Sequence, residues 1–200
     1  MIFLLLLAPA GAFSTTPNDP SSAKRLLLDK IIKTTESLPR PQTSIARDRR
    51  RTEARLVDSL NDDPAAVANL WEFWITERGK ANANTLRQAD GYISERANWA
   101  KGEDLLRTLI MDEPEWVEPK NRLATLLYMK GMVHESATLC ECILVQKPWH
   151  FGALSGIVLC YSRTQQVERE VYWRRRQLPD ERLQDERKRW TTAHVTQIMS

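Results

Sequence analysis

"SATLCECILVQKPWHFGALSG", Ser136 to Gly156, is the stretch whose reading decides the fold. A helical pattern stops at Pro148, Trp149, His150 and Phe151 crowd together, and a run of small residues follows. The first half of this shape has occurred before: "EDLLRTLIMDEP" closes in the same way at Pro114. The spacing from Pro114 to Pro148 suits a unit of two antiparallel helices. His150 could be a poised catalytic base, but no Ser, Cys or Asp accompanies it at a recognisable motif spacing. A corner between two helices fits better, with Gly152, Ala153, Ser155 and Gly156 small enough for the next helix to approach closely.

That spacing is the period of the tetratricopeptide (TPR) repeat, and the motif's positions can be tested one by one. In the central unit, Val117 to Pro148, Leu123, Ala124 and Leu127 stand where the first helix wants Leu, a small residue and an aromatic. Gly131 falls at the turn. In the second helix Ser136 replaces the small Ala, Cys140 replaces an aromatic, Ile143 is apolar and Pro148 ends the unit. Lys120 departs from the usual Trp, although its stem can cover apolar surface while the amine stays wet. The preceding unit, Ala83 to Pro114, fits in its second helix through Gly102, Leu106 and Leu109. The following unit places Ile157, Val158 and Tyr161 correctly. Its second helix, "VEREVYWRRRQL", departs most, with Arg174 at an apolar position and Pro179 early.

Upstream, "NDDPAAVANLWEFWITERGK" reads as a helix with Asp63 as N-cap, Pro64 in the first turn and Gly79 just past the end. Val67, Leu70, Trp71 and Trp74 recur at i, i+3, i+4 and i+7, one apolar stripe. Before it, Ser44 can cap "IARDRRRTEARLVDSL". Arg49, Arg50 and Arg51 raise a nucleic-acid reading, but Asp48 and Glu53 interleave and no aromatic is at hand to stack, so a solvated helix face is expected. The expected organisation is residues 1–12 as signal peptide, 13–43 as a transit-peptide-like, disordered or short helical segment, 44–82 as N-terminal flanking helices, 83–179 as TPR-like repeats, and 180–200 as a C-terminal helical cap or tail.

Composition agrees with an all-α fold. A hydrophobic content of 42% supports a packed core, and only 7 of 200 residues are Gly. Charge is unevenly spread: Lys24 to Arg55 carries ten basic and four acidic residues, while Val57 to Ser162 carries ten and fifteen. Cys140, Cys142 and Cys160 form neither a disulfide framework nor a metal-ligand spacing, since Cys140 and Cys142 point about 200° apart on a helix. No cofactor or metal is expected.

"MIFLLLLAPAGAFSTTPND" begins with an apolar run too short to span a bilayer, which takes about 20 residues. Its length suits a signal-peptide core, and Ala10-Gly11-Ala12 is a small-residue cleavage site, although the start lacks Lys and Arg. Gly11, Ala12 and Phe13, followed by Ser14, Thr15, Thr16, Ser21, Ser22, Lys24 and Arg25, resemble the bipartite presequence of algae whose plastids descend from a red alga. That resemblance implies a plastid address, with the secretory pathway and the mitochondrion as alternatives. "KRLLLDKIIK" is basic and amphipathic, so a membrane-surface or secretory helical protein is the alternative reading of function.

"NRLATLLYMKGMVHESATLCECILVQKPWHFGALSG" resembles a group of small TPR proteins of alphaproteobacteria and plants, with "HFGALSG" as hallmark and a Trp-rich helix similar to "NLWEFWITERG" before it. The resemblance covers roughly residues 56–179. It implies an antiparallel helical-hairpin solenoid of about three units with flanking helices. It also implies a non-enzymatic adaptor or scaffold that binds a protein or peptide partner in a concave groove; no nucleic acid partner and no transmembrane segment in the mature chain are expected. The first helix of each unit would line that groove, presenting Arg87, Glu118, Asn121, Thr125, Tyr128, Ser155 and Arg163. The Lys/Asn/Arg clamp by which chaperone-tail binders hold a terminal carboxylate has no full match here. An enzyme using His134 or His150 is the rival class, without a nucleophile or metal constellation to support it.

Overall fold

The computed structural model describes residues 43–61, 63, 65–176 and 192. The signal-peptide and transit-peptide readings, Pro64, Pro179 and the C-terminal segment therefore lie outside the described residues, Thr43 and Thr192 excepted. Among the described residues the chain forms eight α-helices and no strand. They are α1 (Ser44–Asp58), α2 (Ala66–Thr76), α3 (Gly79–Ile93), α4 (Trp99–Asp112), α5 (Val117–Met129), α6 (Val133–Gln146), α7 (Phe151–Arg163) and α8 (Val167–Arg174).

The helices pack in sequence. α3 with α4, α5 with α6, and α7 with α8 form three hairpins, stacked through α4 on α5 and α6 on α7. α5 also meets both α3 and α7, so the first helices of the three units line one face. α2 rests on α3 and reaches α5 as well, which brings it onto that face.

The repeat period extends to the backbone. Gly131, between α5 and α6, has φ +83°, a left-handed conformation that ends α5. Its N–H donates to Tyr128 O at 3.0 Å, and the Met132 N–H reaches back to Leu127 O at 2.9 Å. Gln165, one period further on, repeats the conformation at φ 57°, and the Gln166 N–H bonds Tyr161 O at 2.9 Å. Inside the central hairpin, Ser136 and Ala124 are both buried, and the Ser136 hydroxyl donates to Ala124 O at 2.7 Å. At the next crossing, a Cβ on Gly156 would sit 3.1 Å from Cys140 Sγ. Small residues thus set how closely the helices approach. Ala124→Leu is expected to overpack the crossing and cost about 1–3 kcal/mol. An unchanged melting temperature would contradict this packing.

Three apolar clusters form the core. One joins Leu86, Ala89, Leu106, Leu109, Trp116, Leu123 and Leu127. A second joins Val117, Ala124, Cys140, Ile143, Ala153, Leu154, Ile157 and Tyr161 to their neighbours. The third consists of Val57, Leu60, Ala66, Leu70 and Trp74 from the flanking segment, plus Trp149.

Some local expectations change. Thr43, not Ser44, caps α1, accepting the Ala46 N–H at 3.1 Å, because the first helical residue is already Ser44. Asp63 does accept a backbone N–H, from Ala65 at 2.8 Å, but α2 starts at Ala66. Its buried stripe is Ala66, Leu70 and Trp74; Val67 faces solvent, because packing against α1 and Trp149 sets the rotation of the helix. In α8 the apolar contact is made by Trp173, while Arg174 points outward and pairs with Glu170.

Candidate functional site

The face expected to bind can be laid out by the period. On α5 it runs through Asn121, Thr125 and Tyr128. Their equivalents one period away are Arg87 and Gly91 on α3 with Ser94 just past its end, and Ser155, Leu159 and Ser162 on α7. Most of these are exposed or half-buried, but Asn121 is buried, and so is Glu118 one turn earlier. The expectation that Glu118 and Asn121 present an open surface is therefore corrected. The chain's own Trp-rich helix covers them.

This junction explains the small residues after His150. The Trp71 ring stacks on Phe151 with centroids 4.9 Å apart, and Trp74 stacks on His150 at 4.5 Å. A Cβ on Gly152 would fall 3.0 Å from both Trp71 Cη2 and Asn121 Nδ2. Glycine is what lets α7 pass between α5 and α2.

Charged groups surround the stacked rings. His150 Nδ1 accepts the Ala153 N–H at 3.1 Å and so caps α7. An acceptor Nδ1 places the ring proton on Nε2, which donates to Glu118 Oε1 at 2.7 Å. Both residues are fully buried, so His150 is committed to structure rather than poised over a substrate. Burial is the largest single influence and would raise the Glu118 carboxyl; His150, Arg122 and Lys147 together outweigh it and hold the carboxyl below its ordinary value. Arg122 pairs with Glu118 at 2.8 Å and Asp90 at 2.9 Å, and its guanidinium lies 5.2 Å over the Trp71 ring. Arg87 is exposed but bonded to Glu72 of α2 at 3.0 Å.

On the other side of Trp74, the Lys147 ammonium lies 2.6 Å from Glu53 Oε1 and 3.4 Å from Glu77 Oε2. Trp74 Nε1 donates to the same Glu53 oxygen at 2.7 Å, and Trp116 Nε1 donates to Trp74 O at 2.8 Å. Burial would lower the Lys147 pKa, but Glu53 and Glu77 more than offset it and raise the value. Glu77 moves up as well: burial leads, and Glu53 adds to it against the pull of Lys147.

Comparison with known proteins agrees with the helical architecture. A TPR repeat-containing protein of Rhizobium etli is 36% identical over 104 residues, which is 52% of this chain and 50% of that protein. The chain is a TPR-like helical solenoid. It spans about half the length of this curated relative. No family model and no solved structure matches.

In this TPR-like solenoid the predicted face is thus divided. Its far half stays open around Thr125, Tyr128, Leu159, Ser162 and Arg163. Tyr128 is half-buried, and the Arg163 guanidinium, from the next unit, lies 5.3 Å over its ring. Thr125 donates its hydroxyl to Asn121 O at 3.1 Å, and Ser155 is half-buried. Among the predicted residues the structure brings Tyr128 and Arg163 together, buries Glu118 and Asn121, and ties Arg87 to α2.

The residues missed by sequence reasoning are Glu53, Glu77, Arg122 and Lys147. One signal was present: Trp71, Phe73 and Trp74 cover too wide an arc of α2 for a helix buried on a single side. Elsewhere, burial pushes the Cys140 and Cys160 thiols up, and Cys142 is exposed. In the arginine run, Arg49 donates to Glu77 O and Arg51 lies 3.4 Å from Asp48. Among the described residues no group of three or more His, Cys, Asp or Glu side chains is placed to hold a metal ion. No helix there is long and apolar enough to cross a membrane.

Proposed function

We propose that this solenoid is a non-enzymatic protein-interaction adaptor or scaffold of an endosymbiont-derived compartment, with a peptide or protein segment as its ligand. The observation that carries the reading is the open half of the first-helix face. There Tyr128 and Arg163, from successive units, form one aromatic–guanidinium pair amid small polar groups. Aromatic and Arg side chains dominate interface hot spots, at about 2 kcal/mol or more each. The TPR repeats of the Rhizobium relative support the same reading, because stacked helical repeats serve widely as binding surfaces. The test is a pull-down from plastid extract with wild type and with Tyr128→Ala plus Arg163→Ala, after both are shown to fold. Loss of captured partners in the variant is expected, and an identical set would rule out this face.

The plastid address rests on Gly11, Ala12 and Phe13 and on the Ser/Thr-rich, acid-poor stretch that follows. A fluorescent fusion of the first ~40 residues is expected to reach the plastid. Phe13→Ala should strand it in the secretory route. Unchanged import of that variant, or delivery of the parent to mitochondria or the cell exterior, would refute the address.

A further inference from the structure

The covered half of the first-helix face has the chemistry of a filled binding site. The repeats contribute cations and rings: Arg87, Arg122, Lys147, His150 and Phe151. The flanking hairpin contributes the complementary carboxylates and indoles: Glu53 and Glu77 to Lys147, Glu72 to Arg87, Trp71 to Arg122 and Phe151, and Trp74 to His150. The apolar packing divides differently. Among the described residues, five of the six buried members of the flanking cluster belong to the hairpin itself, and only Trp149 comes from the repeats. The two repeat clusters contain no fully buried residue of α1 or α2; across the junction only the partly buried Ile75 packs against one of them, and the partly buried Phe151 packs against the flanking cluster. The hairpin therefore carries most of its own core, while the buried Lys147–Glu53–Glu77 cluster, the exposed Arg87–Glu72 pair and the ring stacks make up much of its attachment. Ion pairs of this kind return little net stability, because desolvation offsets their attraction.

From this partition we infer that α1–α2 is an intramolecular ligand: it masks the Glu118–Asn121 half of the face and can open as a unit. The site beneath takes, in trans, a partner helix with Trp at i and i+3 and Glu beside them. This rests on the reading that the first-helix face is the working surface. The hairpin is joined to α3 through Glu77 and Arg78 alone, so its effective concentration at the site is of millimolar order or above, and a free peptide does not displace it. Weakening the hairpin's grip without touching the receptor side should let a peptide in.

The probe is a labelled peptide of residues 65–78, "AVANLWEFWITER" with one preceding Ala, titrated by anisotropy into the full chain. Wild type is expected not to bind it at micromolar concentration. Trp71→Ala with Glu72→Gln should bind at least tenfold tighter than wild type, and adding Arg122→Ala should abolish the gain. Hydrogen exchange follows the mechanism directly. Amides of α1–α2 should exchange faster than those of α5–α7, and in the variant faster again by tenfold or more, with α5–α7 unchanged. If the double variant does not fold, Glu72→Gln alone serves, with a smaller shift of the same sign. Equal exchange of both regions in every variant, or open α1–α2 amides without peptide capture, would overturn the inference. A variant that captures the peptide while Tyr128→Ala loses no partner would refute the open-face reading and leave this one standing.

Discussion

Lys147→Ala is expected to destabilise the fold by about 3–5 kcal/mol, the cost of breaking a buried ion pair by removing one partner. The ammonium lies 2.6 and 3.4 Å from two carboxylates, and Lys147 and Glu53 are both buried. The contact ties α1 to the corner after α6, between elements far apart in the chain, so its loss should loosen the flanking hairpin first. Lys147→Met should cost less if Glu53→Gln and Glu77→Gln are made with it, because neither carboxylate is then left without the ammonium. The pH dependence has a definite sign. The folded-state pKa of Lys147 is raised, so its contribution is fully present below the unfolded value of about 10.4 and is lost as pH rises through the folded one. Denaturant titration followed by helical circular dichroism measures all of this. A Lys147→Ala midpoint equal to that of the parent would mean that solvent reaches the site.

How much of this was legible in the sequence depends on the range of the contacts. The repeat was legible because its determinants are local and recur. Small residues mark the crossings at Ala124, Ser136 and Gly156, and the helices Val117–Met129 and Val133–Gln146 fill the unit read from the two prolines. The corner was legible for the same reason: Pro148 stops one helix and His150 caps the next. The covering of the groove was not. Trp71 meets Phe151 from more than two repeat units away in the chain, and helical periodicity carries no information about which remote surface a stripe will find. Glu118 and Asn121 were read from the repeat register as lining an open groove, yet that part of the helix is filled by another part of the chain. Lys147 looked like an ordinary cation before a proline, because its two partners, Glu53 and Glu77, lie far upstream in the flanking hairpin.

Trp74→Ala is expected to have an effect of similar size, about 3–5 kcal/mol, through a different mixture of causes. The side chain is fully buried in the flanking cluster, so truncation leaves a large cavity between α1, α2 and the corner. It also removes the ring on which His150 stacks and the N–H that shares Glu53 with Lys147. Trp74→Phe separates these terms: it keeps an aromatic face for His150 and loses the Glu53 donor, so about 1–3 kcal/mol is expected. The Trp116 bond to Trp74 O survives both changes, since it uses the backbone. Because Lys147 and Trp74 converge on one Glu53 oxygen, their effects should not add. In a Lys147→Ala, Trp74→Phe cycle the coupling is expected to be about 0.5–3 kcal/mol. Strict additivity would show that the two donors act independently and that the Glu53 network does not hold the hairpin to the repeats.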